Sequence, residues 1–320
     1  MNSRQHPIIT QDLHAYAGLL VLTVCLYGLM YSPQALLNTI SSEFGSGMTS
    51  SGMLIGVFMA SLAVSPIFVG MLLDKTGVRR AILTSSAILA ATSVLIYFAA
   101  SFEMLMAVRC LQALFLPVGL TAIMSAIAAH FRHMDLARAL AGYIACNLVG
   151  SVSARVLGGV FGELIGWRLT LAGFSVSIVI ALVVLAFSLK DPQHHHGRLH
   201  TPKEYLSVFG IPGVPSLLFA EGCGIFVFAG MGNLIPFRMA ELGQAGSGTV
   251  GLMYLGYAVG LVTSLWIKQI TSFAGGPARL LAMGSFAYMA FLALLLIPSQ
   301  YVLFAAIWLL ALSEFIVHAL

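Results

Sequence analysis

The stretch GMLLDKTGVRR, residues 70–80, holds the densest charge in a sequence that is otherwise strongly apolar. The chain is only 8% charged and 59% hydrophobic, yet this stretch carries four charged side chains: Asp74, Lys75, Arg79 and Arg80. A water-soluble domain has about 25% charged residues, so this composition excludes a soluble globular fold. Because long apolar segments flank the stretch on both sides, it is the loop between two membrane-spanning segments.

Ten apolar segments of about 20 residues follow one another, each long enough to cross a bilayer as a helix. Lipid offers no hydrogen-bond partner to the backbone, and a helix satisfies its own N–H and C=O groups. The sequence, with a mean hydropathy of +0.98, therefore predicts an all-α polytopic membrane protein. The predicted spans are residues 15–38, 51–73, 80–100, 103–129, 137–162, 167–189, 213–237, 248–268, 279–297 and 300–320.

Lysine and arginine set the predicted orientation. With the N-terminus in the cytoplasm, only Arg168 and Arg238 fall on the outer side, whereas eleven fall on the inner side. The positive-inside rule then places both chain ends in the cytoplasm. The membrane is predicted to be the inner (plasma) membrane. The net charge of +4 implies no nucleic-acid partner. The eleven are Arg4, Lys75, Arg79, Arg80, Arg132, Arg138, Lys190, Arg198, Lys203, Lys268 and Arg279.

The longest polar stretch separates two unequal groups of spans. We predict an N-terminal six-helix bundle at 1–189, a cytoplasmic linker at 190–212 and a partial four-helix bundle at 213–320. A linker after six spans is typical of transporters built from two repeated halves. The three adjacent histidines 194–196 in the linker have metal-binding chemistry but fit a solvated linker better, and we expect no metal and no cofactor.

The charged loop after the second span resembles the signature loop of the major facilitator superfamily. Its matching residues are Gly70, Leu72, Asp74, Lys75, Gly77, Arg79 and Arg80. The fourth span carries Leu105, Arg109 and Gln112, similar to a motif of that family, with Ala113 where a glycine is usual. The fifth span resembles the proton-coupled exporters of the family but lacks their Gly-Pro pair. Its matching residues are Gly142, Asn147, Gly150, Ser151, Arg155, Gly158 and Gly159.

The resemblance implies a major facilitator-type fold, alternating access and twelve helices. Since ten are predicted, it also implies that helices 11 and 12 are missing, either because the chain is C-terminally truncated or because a partner chain completes the second bundle. By the same analogy the first, fourth, seventh and tenth spans line a central cavity. The alternative is a non-transporting membrane protein or an interaction remnant.

Asp74 in the signature loop has two interpretations. Its carboxylate is suited to accept hydrogen bonds from a helix N-terminus across the interface between halves, with Arg79 and Arg80 balancing the charge. Breaking that contact in each cycle would gate the transporter. The other interpretation is a tight turn at Gly77 with positive-inside charges.

Ionisable and amide side chains within spans are functional candidates, because lipid penalises them. Arg109, with Gln112 one turn on, either faces the cavity and holds an anionic group or ties backbone carbonyls together. Arg155 lies beside small residues that let helices approach, which favours a structural role. Asn147 is a further candidate because a buried amide requires partners. Weaker candidates for polar contacts or a helix bend are Tyr27, Tyr31, Asn233 and Pro236.

Two carboxyl groups within spans are candidates for the proton path. Glu221 lies near the inner end of the seventh span and Glu314 near the inner end of the tenth, with His318 one turn further. Burial in a low-dielectric site favours the protonated form near neutral pH, as a proton carrier requires. Against this, Glu221 is shallow enough to reach Lys203 or interfacial water.

We therefore predict a secondary transporter of the major facilitator type, with proton-coupled efflux by antiport of a small organic solute or drug. An intramembrane enzyme is the less favoured class, since Glu314 with His318 is the single acid–histidine pair within spans and no protease or hydrolase motif accompanies it. The predicted partners are membrane lipid, a small-molecule substrate and protons. The four cysteines are read as packing residues: Cys25, Cys110, Cys146 and Cys223.

Overall fold

The computed structural model describes residues 6–130, 136–189, 207–244 and 246–318. These residues form helices and short connections, without a strand among them. The α-helices are α1 His6–Tyr31, α2 Leu37–Phe44, α3 Gly47–Val64, α4 Pro66–Thr76, α5 Val78–Tyr97, α6 Phe102–His130, α7 Leu136–Ile165, α8 Trp167–Ser188, α9 Val214–Glu241, α10 Ser247–Met253, α11 Val259–Phe273, α12 Pro277–Leu294 and α13 Gln300–His318. Three 3-10 helices accompany them: Ser32–Leu36, Val208–Gly210 and Tyr254–Ala258.

Nine helical stretches within the described residues are long and apolar enough to cross a membrane. They confirm the all-α polytopic fold class. The eighth predicted span, 248–268, is different, because the 3-10 helix Tyr254–Ala258 divides it into α10 and α11. Within that 3-10 helix, Gly256 lies so close to α13 that a Cβ atom would stand 2.7 Å from the Trp308 ring. The division therefore falls where two segments cross closely.

Prolines interrupt two other predicted spans. Pro33 has no N–H group to donate, and α1 gives way at Tyr31 to a 3-10 helix that leads into α2. The first span thus continues to Phe44, beyond its predicted end at residue 38. Pro66 begins α4 directly after Ser65, so the second span consists of α3 followed by α4.

Helix α1 lies at the centre of the N-terminal helices, in contact with α6, α7 and α8, while α5 packs between α6 and α8. Its inward face is fully buried at Leu19, Leu22 and Leu26. In the C-terminal part, α13 packs against α12 and α11. Helix α10 packs against α7, and that contact joins the two parts of the chain.

The predicted linker 190–212 lies outside the described residues as far as residue 206, and this includes the histidines 194–196. The boundaries of the two predicted bundles therefore stay predictions.

Candidate functional site

The signature loop is a turn at Gly77 between α4 and α5. Gly77 has φ +80°, in the region that glycine adopts without strain, and precedes the first residue of α5. Gly70 is exposed within α4, and the side chain of Arg80 is exposed. The backbone of Asp74 belongs to the last turns of α4, but its side chain lies outside the described residues, so its gating role stays a prediction.

Arg79 ties this loop to the end of α8. Its Nε donates to the Leu189 carbonyl at 2.7 Å, and its Nη2 donates to the Ala186 carbonyl at 2.8 Å. The last carbonyls of a helix lack partners within the helix, and a cation there also meets the negative end of the helix dipole. Arg79 therefore fixes α5 to α8 at this end of the molecule, which we call the Arg79 end.

The loop between α11 and α12 in the C-terminal part has a similar backbone turn. Gly276 has φ +126° and directly precedes α12, as Gly77 directly precedes α5. The side chains of Lys268 and Arg279 beside it are exposed. The two loops therefore share a glycine with positive φ at the start of the following helix.

Arg109 in α6 is 1% exposed, and acceptors satisfy all five of its N–H groups. Its Nε and Nη2 donate to the Leu54 carbonyl at 3.1 and 3.0 Å. Its Nη2 also donates to the Met30 carbonyl at 3.0 Å. Its Nη1 donates to the Leu29 carbonyl at 3.1 Å and to Gln112 Oε1 at 3.0 Å. In this conformation Arg109 joins α1, α3 and α6, and it has no donor left for a substrate.

The break at Pro33 explains part of this arrangement. Leu29 would accept from the N–H group four residues on, but proline has none, and Arg109 supplies a donor instead. Gln112 continues the network, since its Nε2 donates to Ser93 Oγ in α5 at 3.2 Å. The Arg109 guanidinium also lies 4.0 Å from the centre of the Phe58 ring.

Arg155 in α7 is 5% exposed and differently placed. Its Nε donates to Gln34 Oε1, and its Nη1 donates to the Ser151 carbonyl at 2.6 Å. Gln34 Nε2 in turn donates to Asn233 Oδ1 in α9 at 2.6 Å. Three of its five N–H groups therefore have no acceptor among the described residues.

Three tyrosine rings surround the Arg155 guanidinium, with ring centres at 3.8 Å for Tyr31, 5.0 Å for Tyr257 and 5.7 Å for Tyr254. The Tyr254 hydroxyl donates to the Gly232 carbonyl at 2.6 Å. Tyr257 is 3% exposed, and its hydroxyl has no hydrogen-bond partner among the described residues. We call Arg155, Gln34, Tyr31, Asn233, Tyr254 and Tyr257 the Arg155 cluster.

Close backbone packing lies next to this cluster. A Cβ atom on Gly159 of α7 would stand 2.3 Å from the Ser247 carbonyl and 2.8 Å from the Gly251 Cα of α10. Ser247 Oγ donates to the Gly159 carbonyl at 2.9 Å. One turn on, Glu163 accepts the Gly248 N–H at 2.7 Å. Small residues thus allow α7 and α10 to touch at what we call the Glu163 end.

A polar row on α7 leads away from Arg155 toward the Arg79 end. Tyr143, Asn147, Ser151 and Arg155 are spaced by four residues and so share one face of the helix. Tyr143 and Tyr27 of α1 lie within electrostatic range of each other. Asn147 is only half-buried, and its amide has no hydrogen-bond partner among the described residues. The place of Asn147 on a substrate or proton path stays a prediction.

The two acids of the predicted proton path are unequally described. Glu314 in α13 is 7% exposed, with Oε1 3.1 Å from the position of a Cβ atom on Gly224 of α9. Tyr288 of α12 lies within electrostatic range of this carboxyl group. The side chains of Glu221 and His318 lie outside the described residues, so their part in a proton path stays a prediction.

The cysteines and the remaining weak candidates fall in different places. Cys25 is buried and Cys146 half-buried, whereas Cys110 and Cys223 are exposed, so the predicted packing role does not describe the last two. Pro236 is buried inside α9 and does not end that helix.

Sequence reasoning missed Gln34, Glu163, Tyr254 and Tyr257. Gln34 lies one turn before the end of its predicted span and Glu163 directly after the end of its own, where a polar residue carries little signal. Tyr254 and Tyr257, three residues apart on one face, are the detectable feature, yet aromatic residues are common in spans.

The sequence profile of the Major Facilitator Superfamily matches residues 19–320, nearly the whole chain. The chain belongs to the Major Facilitator Superfamily. Two solved transporter structures share the fold. A bacterial homolog of the human lysosomal transporter Spinster, in its inward-facing and unoccupied conformation, has a TM-score of 0.75 at 17% identity, covering 99% of this chain and 74% of that one. The nucleoside transporter NupG has a TM-score of 0.72 at 15% identity, covering 97% of this superfamily member and 79% of NupG.

Three curated proteins are similar to the chain in sequence over part of their length. The inner membrane transport protein YnfM of Escherichia coli is 28% identical over 81% of this chain and 63% of YnfM. YdhP of Escherichia coli, also an inner membrane transport protein, is 29% identical over 64% of the chain and 53% of YdhP. The transcription regulatory protein OpdE of Pseudomonas aeruginosa is 24% identical over 80% of the chain and 65% of OpdE. The chain therefore spans less than two thirds of each.

Proposed function

We propose that this superfamily member exports a small organic solute or drug across the inner (plasma) membrane by alternating access, in exchange for protons. Superfamily membership and the transporter fold support the coarser statement, a secondary transporter. The observation that carries the finer proposal is the uneven contact between the two parts of the chain.

The principal contacts between α1–α8 and α9–α13 fall at the Glu163 end. They comprise the Gly159 crossing, the Glu163 hydrogen bond to Gly248 and the Arg155 cluster. At the Arg79 end, by contrast, the side chains of Lys75 and Lys268 are exposed. An alternating-access transporter has two states, each open to a different side of the membrane. Contacts concentrated at the Glu163 end are expected in the state in which that end is closed.

The predicted orientation of the chain indicates which side of the membrane is closed. The positive-inside rule assigns the Arg79 end and both termini to the cytoplasm, so the conformation would open inward. The inward-facing state of the Spinster homolog, whose fold is similar, supports this assignment. Export would then begin with solute entering from the cytoplasm.

Glu314 is the proposed proton carrier. It is buried between α9, α12 and α13, where a carboxyl group exchanges its proton only when the surrounding helices admit water. Rearrangement of the helices between the two openings would change that access. Glu221 would add a second acid on α9, and Asp74 would hold the loop at the Arg79 end.

Flux in membrane vesicles tests the proposal, with the fluorescent solutes ethidium and carboxyfluorescein covering both signs of charge. We expect outward transport that stops when the proton gradient is dissipated, and that is lost in Glu314→Gln, which keeps the shape of the side chain but binds no exchangeable proton. The control is Glu241→Gln, an exposed carboxylate of similar size. Flux independent of the gradient, or inward flux alone, would contradict proton-driven export.

The name of OpdE supports a second candidate, a membrane protein with a regulatory role. In that case the protein would fold and reach the membrane but move neither solute, and Glu314→Gln would change nothing in the vesicles. A partner protein would then be sought by crosslinking in the native membrane.

A further inference from the structure

We propose that the Arg155 cluster is the substrate-recognition site and that its ligand is a small organic anion, a carboxylate on an apolar, planar body. The inference rests on the proposed transport function, whose substrate class it names. It is carried by the contrast between two buried arginines and by one tyrosine hydroxyl.

Arg155 has unused hydrogen-bonding capacity. Arg109 has a similar degree of burial, yet its five N–H groups are all satisfied by the chain. Arg155 uses two, and its partners Gln34 and Ser151 are neutral. A buried guanidinium with spare donors is suited to a carboxylate, which accepts two parallel N–H bonds.

The buried Tyr257 hydroxyl has no hydrogen-bond partner among the described residues. A buried hydroxyl without a partner is unfavourable and calls for an explanation. Tyr257 lies beside both Arg155 and Gly232, where a Cβ atom would stand 2.9 Å from its hydroxyl oxygen. A ligand oxygen bound to Arg155 would give this hydroxyl its missing acceptor.

Aromatic rings next to Arg155 indicate the shape of the ligand body that carries the carboxylate. The rings of Tyr31, Tyr254, Tyr257 and Phe228 bound the site, and Phe228 lies 4.5 Å from Tyr257, ring centre to ring centre. Flat apolar walls favour a ligand whose body is planar and apolar. Among the described residues no carboxylate forms an ion pair with Arg155, so none of them neutralises its charge.

Access follows the polar row of α7. Asn147 lies two turns from Arg155 toward the Arg79 end, about 12 Å along the helix. Its half-exposed amide and the neighbouring Ser151 would offer hydrogen bonds along this route. The site is also shared between both parts of the chain, through Gln34 and Asn233. A ligand held there would therefore bear directly on the closure of the Glu163 end.

Calorimetric titration of the purified protein in detergent tests the site, with benzoate as the probe and benzamide as its neutral counterpart. We expect benzoate to bind and benzamide to bind at least about 30-fold more weakly, because the buried charge pair is lost. Arg155→Gln should weaken benzoate binding by a similar factor. Arg155→Lys should retain part of the affinity, since the charge stays but the fork is lost. The control is Arg238→Gln, a surface arginine paired with Glu241.

Tyr257→Phe keeps the test decisive if Arg155→Gln does not fold. Removing a hydroxyl that has no partner should leave the melting temperature unchanged or raised, while benzoate affinity falls about 10-fold. The control is Tyr97→Phe, an exposed tyrosine of α5 that lies outside the cluster. Equal binding of benzoate and benzamide, or unchanged benzoate affinity in Tyr257→Phe, would overturn the inference.

Different outcomes contradict the proposed binding site and the proposed transport function. Arg155-dependent binding of benzoate without flux of any solute would contradict the proposed transport but support the site. Transport of ethidium alone, with no benzoate binding, would support a transporter and overturn the assignment of an anion site.

Discussion

Two arginines in the membrane illustrate how neighbouring residues decide what a buried charge does. Arg109 donates to the Leu29 carbonyl, which Pro33 leaves without a helical donor, and to the Met30 and Leu54 carbonyls, so it joins helices. Arg155 has neutral partners, aromatic neighbours and spare donors, so it is suited to bind a ligand. Their degrees of burial are similar, which means that burial alone does not distinguish the two roles.

The Arg109 network gives a prediction at this scale. Gln112→Leu removes the acceptor of one Arg109 N–H and the donor to Ser93. We expect the free energy of unfolding to fall by about 1–3 kcal/mol, the cost of a buried donor without a partner. Thermal unfolding in detergent measures this loss.

The exposed Gln269 in α11 provides the control, and Gln269→Leu should leave the unfolding temperature nearly unchanged. A Gln112→Leu protein as stable as the unsubstituted one would mean that Arg109 readily finds another acceptor. The assigned contribution of Gln112 to the Arg109 network would then be wrong.

At the scale of the element, α7 combines two functions along one side of the helix. The polar row from Tyr143 to Arg155 continues at the same four-residue spacing to Gly159, and Gly158 and Gly159 bring the backbone of α7 against the 3-10 helix Ser32–Leu36 and α10. Positions three and four residues apart lie together on a helix, so the ligand contacts and the close crossing are neighbours. The helix that offers ligand contacts therefore also forms the closure.

Gly159→Ala tests the closure. The added Cβ would lie 2.3 Å from the Ser247 carbonyl, a backbone atom that cannot turn away, so α7 and α10 must separate. We expect the closed state to lose about 1–3 kcal/mol, as overpacked sites do. Gly173→Ala in α8 is the matched control, because a Cβ there meets nothing within 4 Å and alanine favours a helix by about 1 kcal/mol.

Melting temperature and crosslinking across the Glu163 end report the outcome. The closure is wrongly located if Gly159→Ala and Gly173→Ala behave alike.

Much of the element scale was predictable from the sequence. Apolar length alone indicated the spans, and glycine chemistry indicated the turn at Gly77. The division of the eighth span at Tyr254 was not predictable, because it falls where Gly256 closely approaches Trp308, 52 residues further along the chain. The same holds for the Gln34–Asn233 pair, whose members are 199 residues apart. Spacing along one helix is readable from sequence, but the rotation of one helix against another is not.

At the scale of the whole molecule, the two parts of the chain touch chiefly at one end. Tight backbone packing, a capped helix start and the Arg155 cluster all lie at the Glu163 end. Exposed basic side chains mark the Arg79 end. Hydrogen bonds and close packing of this kind hold helices together in lipid, where no hydrophobic driving force acts between them. A small number of such contacts can open and close without unfolding either part.

Paired spin labels measure this opening most directly. A protein with its four cysteines replaced by serine would carry one label pair at the Glu163 end, at Phe98 and Leu296, and in a separate protein another pair at the Arg79 end, at Thr76 and Ser272. All four positions are exposed. The account predicts two distances for each pair, with the longer Phe98–Leu296 population and the shorter Thr76–Ser272 population rising together when benzoate is added or the pH is lowered. A single unchanged distance for both pairs under all these conditions would contradict alternating access.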